Sequence, residues 1–196
     1  MLVEGFKKMK KDNRYSLSWE EPRFSAVLVR YMREIRSEQK IPLKIDPEGV
    51  LYNQEILDGT VDPATAPRID IRISGGWFIE DQYYGVEAKI LVENHRGTRN
   101  HTQLNKEYIE KGIQRFIDGK YSSGMDNGCM AGYIIEGQCM KIISKINDRL
   151  TESNRKQEII QNIGSIDSCQ YGKSIHTRII DHKKFRLCHI FLDFNN

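Results

Sequence analysis

Long apolar runs are missing from this 196-residue chain, and no stretch approaches bilayer-spanning length. The N-terminus lacks the apolar segment of a secretory signal. Cysteine is scarce. Cys129, Cys139, Cys169 and Cys188 include no Cys-x-x-Cys pair, and a chain of this size needs no disulfide framework, so a reducing cytoplasm is the expected compartment. Neither sign of charge dominates: 30 Lys and Arg against 27 Asp and Glu leave a net +3, so composition alone does not point to nucleic acid. Gly132–Gly137 opens no helix and is followed by no Gly-Lys-Ser/Thr, which argues against a phosphate loop. No nucleophile turn marks a Ser–His–Asp triad, and there is neither an internal repeat nor a low-complexity tract. Hydrophobic residues make up 39%, an ordinary share for a folded chain, and the length suits one domain.

The chain divides into a basic N-terminal segment, residues 1–17, and a single domain over 18–196. Lys7, Lys8, Lys10, Lys11 and Arg14 could contact phosphates, but a solvated, partly disordered terminus is the blander expectation. Ser18-Trp19-Glu20-Glu21 has capping-box spacing, and Phe24, Val27, Leu28, Tyr31 and Ile35 recur at helical period, predicting a helix from about Trp19 to Glu38. Ile41–Ile45 and Val50–Tyr52 read as short strands around a turn at Asp46–Gly49, and Asn53–Ala66 as a substrate-facing loop. A second helix is expected over Leu104–Phe116, closing near Gly119, then a buried strand at Cys129–Ile135 and a third helix over Cys139–Leu150. Thr151–Gln170 is ambiguous, with Ile159, Ile160 and Ile163 permitting a short helix. Ser174–Ile180 and Phe185–Phe194 read as pairing strands. This order predicts a three-layer α/β/α domain around a mixed sheet, with a core over about 19–135 and a helix-and-strand extension over 138–196.

The chemistry gathers between Arg68 and Leu91. Arg68–Ile73 alternates Ile69, Ile71 and Ile73 with Asp70 and two arginines. Ser74-Gly75-Gly76 is a turn signal. Tyr83–Leu91 then alternates an apolar face with Glu87 and Lys89 on the other. Residues i and i+2 of a strand point the same way, so a hairpin here converges Asp70, Glu87 and Lys89. Phosphodiester hydrolysis needs an activated water, a clamp on the phosphate and help for the leaving oxygen, all of which a bound Mg²⁺ can supply. Mg²⁺ takes oxygen ligands and keeps several waters, so Asp70, Glu87 and the Ala88 carbonyl would suffice, with Lys89 orienting the water and offsetting phosphate charge. A Glu-x-Lys alone carries little: Glu38-Gln39-Lys40 repeats it at a helix end, where i and i+2 diverge. A charged, solvated strand face accounts for the pattern as well.

With its context of helix, three strands, helix and strand, the constellation resembles the PD-(D/E)xK nuclease superfamily, the restriction-endonuclease-like fold. The family's Asp matches Asp70, its Glu-x-Lys matches Glu87-Ala88-Lys89, and its first-helix acid would be Glu21 or Glu20. The residue before the Asp is Ile69 rather than the eponymous Pro, with Pro67 three positions before Asp70. The resemblance implies an Mg²⁺- or Mn²⁺-dependent endonuclease acting on nucleic acid, most readily duplex DNA, as a homodimer or a subunit of a larger complex, with a role in defence against foreign DNA. It makes Gln103, Tyr108 and Gln114 candidates for the Gln and Tyr some members carry on the following helix. Two other readings stay open: an inactive subunit keeping the fold to bind nucleic acid or a partner protein, and a hydrolase of small phosphate compounds.

Arg96, Arg99, His95 and His101, after the Glu-x-Lys strand, could bind phosphates or form a solvated loop; Arg96, Arg99, Gln103 and Gln114 are the nucleic-acid-binding candidates. Cys169, His176, His182, Cys188 and His189 lack the paired short loops of structural zinc sites. His176 and His189 are expected as hydrogen-bonded core residues more than as substrate contacts.

Overall fold

In the computed structural model, described for residues 1–51, 54–76, 82–122 and 124–195, one seven-stranded mixed sheet lies between two helical layers. The elements in chain order are α1 (Leu2–Lys11), α2 (Glu21–Glu38), β1 (Lys44–Val50), α3 (Gln54–Leu57), β2 (Arg68–Ser74), β3 (Tyr84–Val92) and α4 (His101–Glu107). A π-helical stretch (Tyr108–Ile113) joins α4 to α5 (Gln114–Ile117). Then come β4 (Asn127–Glu136), α6 (Cys139–Glu152), β5 (Gln161–Ile166), β6 (Cys169–Thr177) and β7 (Lys184–Asp193). The strand order is β1-β2-β3-β4-β7-β6-β5. β3, β4 and β7 run parallel, and the other neighbours pair antiparallel. No helix among the described residues is long and apolar enough to cross a membrane.

The alternation of β3 and β4 builds both cores. Val86, Ala88, Ile90, Cys129, Ala131 and Tyr133 face α1 and α2, while Leu91, Met130 and Ile134 face the α4–α5 helix and α6. β4 is covered on both faces, which is why it reads as a continuous apolar run. The long helix from His101 ends where Gly119 adopts φ +74°, a left-handed conformation that glycine takes without strain. Asn100 caps its start, its side chain accepting from the amides of Thr102 and Gln103.

Several elements depart from the sequence expectation. The basic terminus is the helix α1. Phe6 and Met9 are fully buried, Phe6 packs edge-on to Phe194 at 4.9 Å, and Lys8 and Lys7 pair with Glu38 and Asp167. Lys10 donates to the Asp193 carbonyl. The Phe6 and Met9 spacing is a short amphipathic stripe hidden among lysines. Asp46–Gly49 is no turn but the middle of β1, whose place at the sheet edge tolerates Pro47. The Ser18 capping box does not form. Glu20 occupies the N-cap position without a side-chain cap, and the Ser18 hydroxyl bonds Ser16 instead. Asn53–Ala66, read as loop, carries α3 and a 3₁₀ turn at Pro63–Thr65; Tyr52 and Asn53 lie outside the described residues. Thr151–Gln170 holds only a 3₁₀ turn at Lys156–Glu158 before β5, a sheet-edge strand rather than the permitted helix.

His176 and His189 join a buried polar chain. Tyr108 Oη bonds His189 Nδ1 at 2.8 Å, and His189 Nε2 and His176 Nε2 meet the Ser174 hydroxyl at 2.7 and 2.6 Å. His176 Nδ1 then meets Glu158, which Arg155 holds from outside. Burial keeps His189 neutral, pushing it down to about 3. The chain binds the α4–α5 layer to β6 and β7.

If α1 belongs to the cooperative core, Phe6→Ala opens a cavity and costs about 3 kcal/mol. Urea denaturation should show a lowered midpoint with an unchanged slope; a neutral variant would mean that α1 adds nothing to global stability.

Candidate active site

β2 and β3 pair only from Ile71↔Val86 to Ile73↔Tyr84. Beyond that point β2 turns away. Ile71 packs toward α1 and α2, but Ile69 packs in the opposite core, so the three isoleucines do not share one face as strict alternation predicts. The amides of Ala88 and Ile90 on β3 therefore lose strand partners, and two carboxylates take them. Asp70 Oδ2 accepts from Ala88 N at 2.7 Å, and Glu21 Oε1 accepts from Ile90 N at 3.0 Å.

Glu21 reaches the sheet because it opens α2 immediately before Pro22. Its neighbour Glu20 points outward to Arg99, so of the two acids it is Glu21 that reaches Lys89 and the Ile90 amide. Lys89 Nζ donates to Glu87 Oε1 at 2.8 Å and to the Ala88 carbonyl at 2.7 Å, with Glu21 Oε2 at 3.4 Å. Glu87, Lys89 and Glu21 are thus one hydrogen-bonded cluster at the point where two strands diverge, and Asp70 joins it through the Ala88 backbone.

Sequence reasoning missed two members. Arg115 Nη1, from α5, lies 3.3 Å from Glu87 Oε1 and 2.5 Å from the Tyr121 hydroxyl, which donates to the Arg68 carbonyl at 2.8 Å. Arg115 is a polar residue on an amphipathic helix and Tyr121 follows a glycine turn; neither carries a local signal for this contact.

Glu87 is 1% exposed. Desolvation, then the neighbouring Asp70 charge, pushes its carboxyl up to about 7 against the pull of Lys89 and Arg115. Glu21 is also raised, by burial before all else. Burial alone would lower Lys89, but Glu87, Glu21 and Asp70 together raise it, so it remains an ammonium at neutral pH. Lys89 is accordingly a donor and a positive charge, not a general base.

The donor set suits a hard cation. Glu87 Oε2 is buried with no hydrogen-bond partner among the described residues, and a buried acceptor in that condition needs a proton or a cation. Asp70 adds a second carboxylate and Ala88 a carbonyl, the oxygen ligands Mg²⁺ accepts. Among the described residues no group of three or more His, Cys, Asp or Glu is arranged to hold a metal ion.

The other candidates have no hydrogen bond to Asp70, Glu87, Lys89 or Glu21 among the described residues. Arg96 donates to the Ile135 carbonyl, and Arg99 to the carbonyls of Leu17 and Trp19, where it pins the approach to α2. Gln103 bonds Glu107 and Gln114 bonds Asp118, each one turn along its own helix. Tyr108 is buried in the histidine chain and faces no opening. His95 and His101 meet at 3.1 Å on the surface. Comparison with protein-family models, with curated proteins and with solved structures finds no match for the chain.

The raised Glu87 carboxyl ties stability to pH. Between the ordinary value of 4.5 and about 7, the folded state holds a proton that the unfolded state has released. Stability therefore falls as pH rises across that window, by on the order of 3 kcal/mol. Urea titrations without added metal should show this decline, and Glu87→Gln should flatten it. Parallel profiles for the two proteins would show that Glu87 ionises normally.

Proposed function

We propose that the chain is a metal-dependent nuclease that hydrolyses phosphodiester bonds, with DNA as the favoured substrate. The observation that carries this reading is the pairing of Asp70 with the Ala88 amide, which sets a second carboxylate beside buried Glu87 and its unpartnered oxygen. Asp70, Glu87 and the Ala88 carbonyl would hold Mg²⁺ or Mn²⁺. When bound, that ion supplies Lewis-acid stabilisation of phosphate charge and eases deprotonation of a water.

The chain's own residues do the rest. Lys89 presents an ammonium to a phosphate oxygen or an attacking water, and Glu21 holds it from the far side while closing the Ile90 amide. Glu87, pushed up to about 7, changes protonation near neutrality, so a cation and a proton compete for one carboxylate and cation binding would release the proton. The choice of DNA, the duplex form, a dimer or larger complex and a defence role rest on the resemblance to PD-(D/E)xK nucleases alone.

A second reading is a non-catalytic subunit of the same fold that binds nucleic acid or a partner protein. It is favoured by one feature: the carboxylates of Asp70 and Glu21 already close the two free amides of β3, which gives them a structural role without any ion.

The test is a cleavage panel of duplex DNA, single-stranded DNA and RNA with Mg²⁺, with Mn²⁺ and with chelator. Metal-dependent cleavage is expected, and Asp70→Ala and Lys89→Ala should each lower it by about two orders of magnitude or more while the circular dichroism spectrum is kept. Undiminished cleavage by both folded variants, or no cleavage by the wild type, would sink the nuclease reading.

A further inference from the structure

Beside the acid cluster lies a pocket of about 330 Å³ lined by Pro67, Arg68, Arg115, Lys120 and Tyr121. Three of its five lining residues are cations and none is an acid. Arg115 joins it to the cluster, one guanidinium nitrogen touching Glu87 and the Tyr121 hydroxyl together. Both of these hydrogen bonds use Arg115 Nη1, which leaves the Nε–Nη2 edge of the fork for a ligand. Arg68 has only a loose contact with Glu48 at 4.0 Å, both side chains being exposed. The framework is firm nonetheless: Tyr121 bonds the Arg68 carbonyl, and the Lys120 amide bonds the Arg115 carbonyl at 3.0 Å.

Like charges gathered around one pocket repel, and an anion seated between them offsets that repulsion. Guanidinium forks match the oxygens of phosphate, and a lysine adds a point charge. We infer that this pocket is a phosphate-binding subsite, which seats a phosphate of the nucleic-acid strand next to the one held at Asp70, Glu87 and Lys89. The inference rests on the nuclease reading for the identity of the strand. The phosphate is either a terminal monoester or an internal diester, since both offer the same oxygens to the same cations.

The experiment measures binding in chelator, where nothing is cleaved. A labelled short DNA strand, with a 5′-phosphate or a 5′-hydroxyl, is titrated by fluorescence anisotropy over a range of salt. The proteins are the wild type, Arg68→Ala/Lys120→Ala and the control Lys7→Ala/Lys11→Ala on α1. The pocket variant removes only exposed side chains and leaves the Arg68 carbonyl to Tyr121. It should lose about tenfold in affinity, and the slope of log K against log salt should shrink by about 1. The control should bind as the wild type does.

Tighter wild-type binding of the phosphorylated strand, abolished in the pocket variant, supports the subsite and assigns it a terminal phosphate. Equal binding of both strands, equally weakened in the variant, supports it and assigns an internal diester. Wild-type affinity in the pocket variant, an equal loss in the control, or no binding by the wild type overturns it. Wild-type protein that binds as expected but cleaves nothing with Mg²⁺ would leave the subsite standing and remove the nuclease reading.

Discussion

A backbone amide inside a sheet that loses its neighbouring strand must find another acceptor or forfeit the energy of a buried, unsatisfied donor. β3 meets that demand twice. β2 leaves it after the Ile71↔Val86 pair, and Ala88 and Ile90 continue within the core paired with β4 but without β2 on the other edge. The carboxylates of Asp70 and Glu21 replace the missing strand. The rest of the site depends on this substitution. It sets the depth of α2 against the sheet, brings Asp70 beside Glu87, and leaves Lys89 a place among oxygens. Arg99, bonded to the Leu17 and Trp19 carbonyls, holds the entry to α2 so that Glu21 arrives at the right height.

The cluster is not electrically neutral. Asp70, Glu87 and Glu21 bring three carboxylates, and Lys89 and Arg115 bring two cations. With every group ionised, one negative charge remains in a cluster whose centre, Glu87 and Lys89, is buried. A proton on Glu87 removes it, which is the physical content of that carboxyl's rise to about 7. A cation shared with Asp70 would remove it as well. A tightly packed core on both faces keeps such an excess charge from simply relaxing into water.

Much of the fold was legible because its strongest elements obey one period each. α2, β4 and α6 announce themselves through apolar spacing, and the β6–β7 pair through β-branched and aromatic runs. The failures share a cause: a local preference overruled by what lies across the fold. Pro47 reads as a turn until β1 proves to be an edge strand. The lysines of α1 hide Phe6 and Met9, which are buried only once α2 and one face of the sheet come together. β5 has too few apolar residues to declare itself and exists because β6 offers it an edge.

For the site, the residue pattern alone settles the chemical types and the one strand face shared by Glu87 and Lys89, since strand geometry ties i to i+2. It also placed an acid pair at the start of α2. Long-range packing is what turns Glu21 rather than Glu20 inward, brings Asp70 to the Ala88 amide, and lets Arg115 and Tyr121 join from the α4–α5 layer. The contacts that Asp70, Arg115 and Glu21 make with β3 link residues 18, 28 and 69 positions apart, separations that no local period encodes. Their common origin is the point at which β2 leaves β3, a feature of how the sheet twists and packs rather than of any short run of residues.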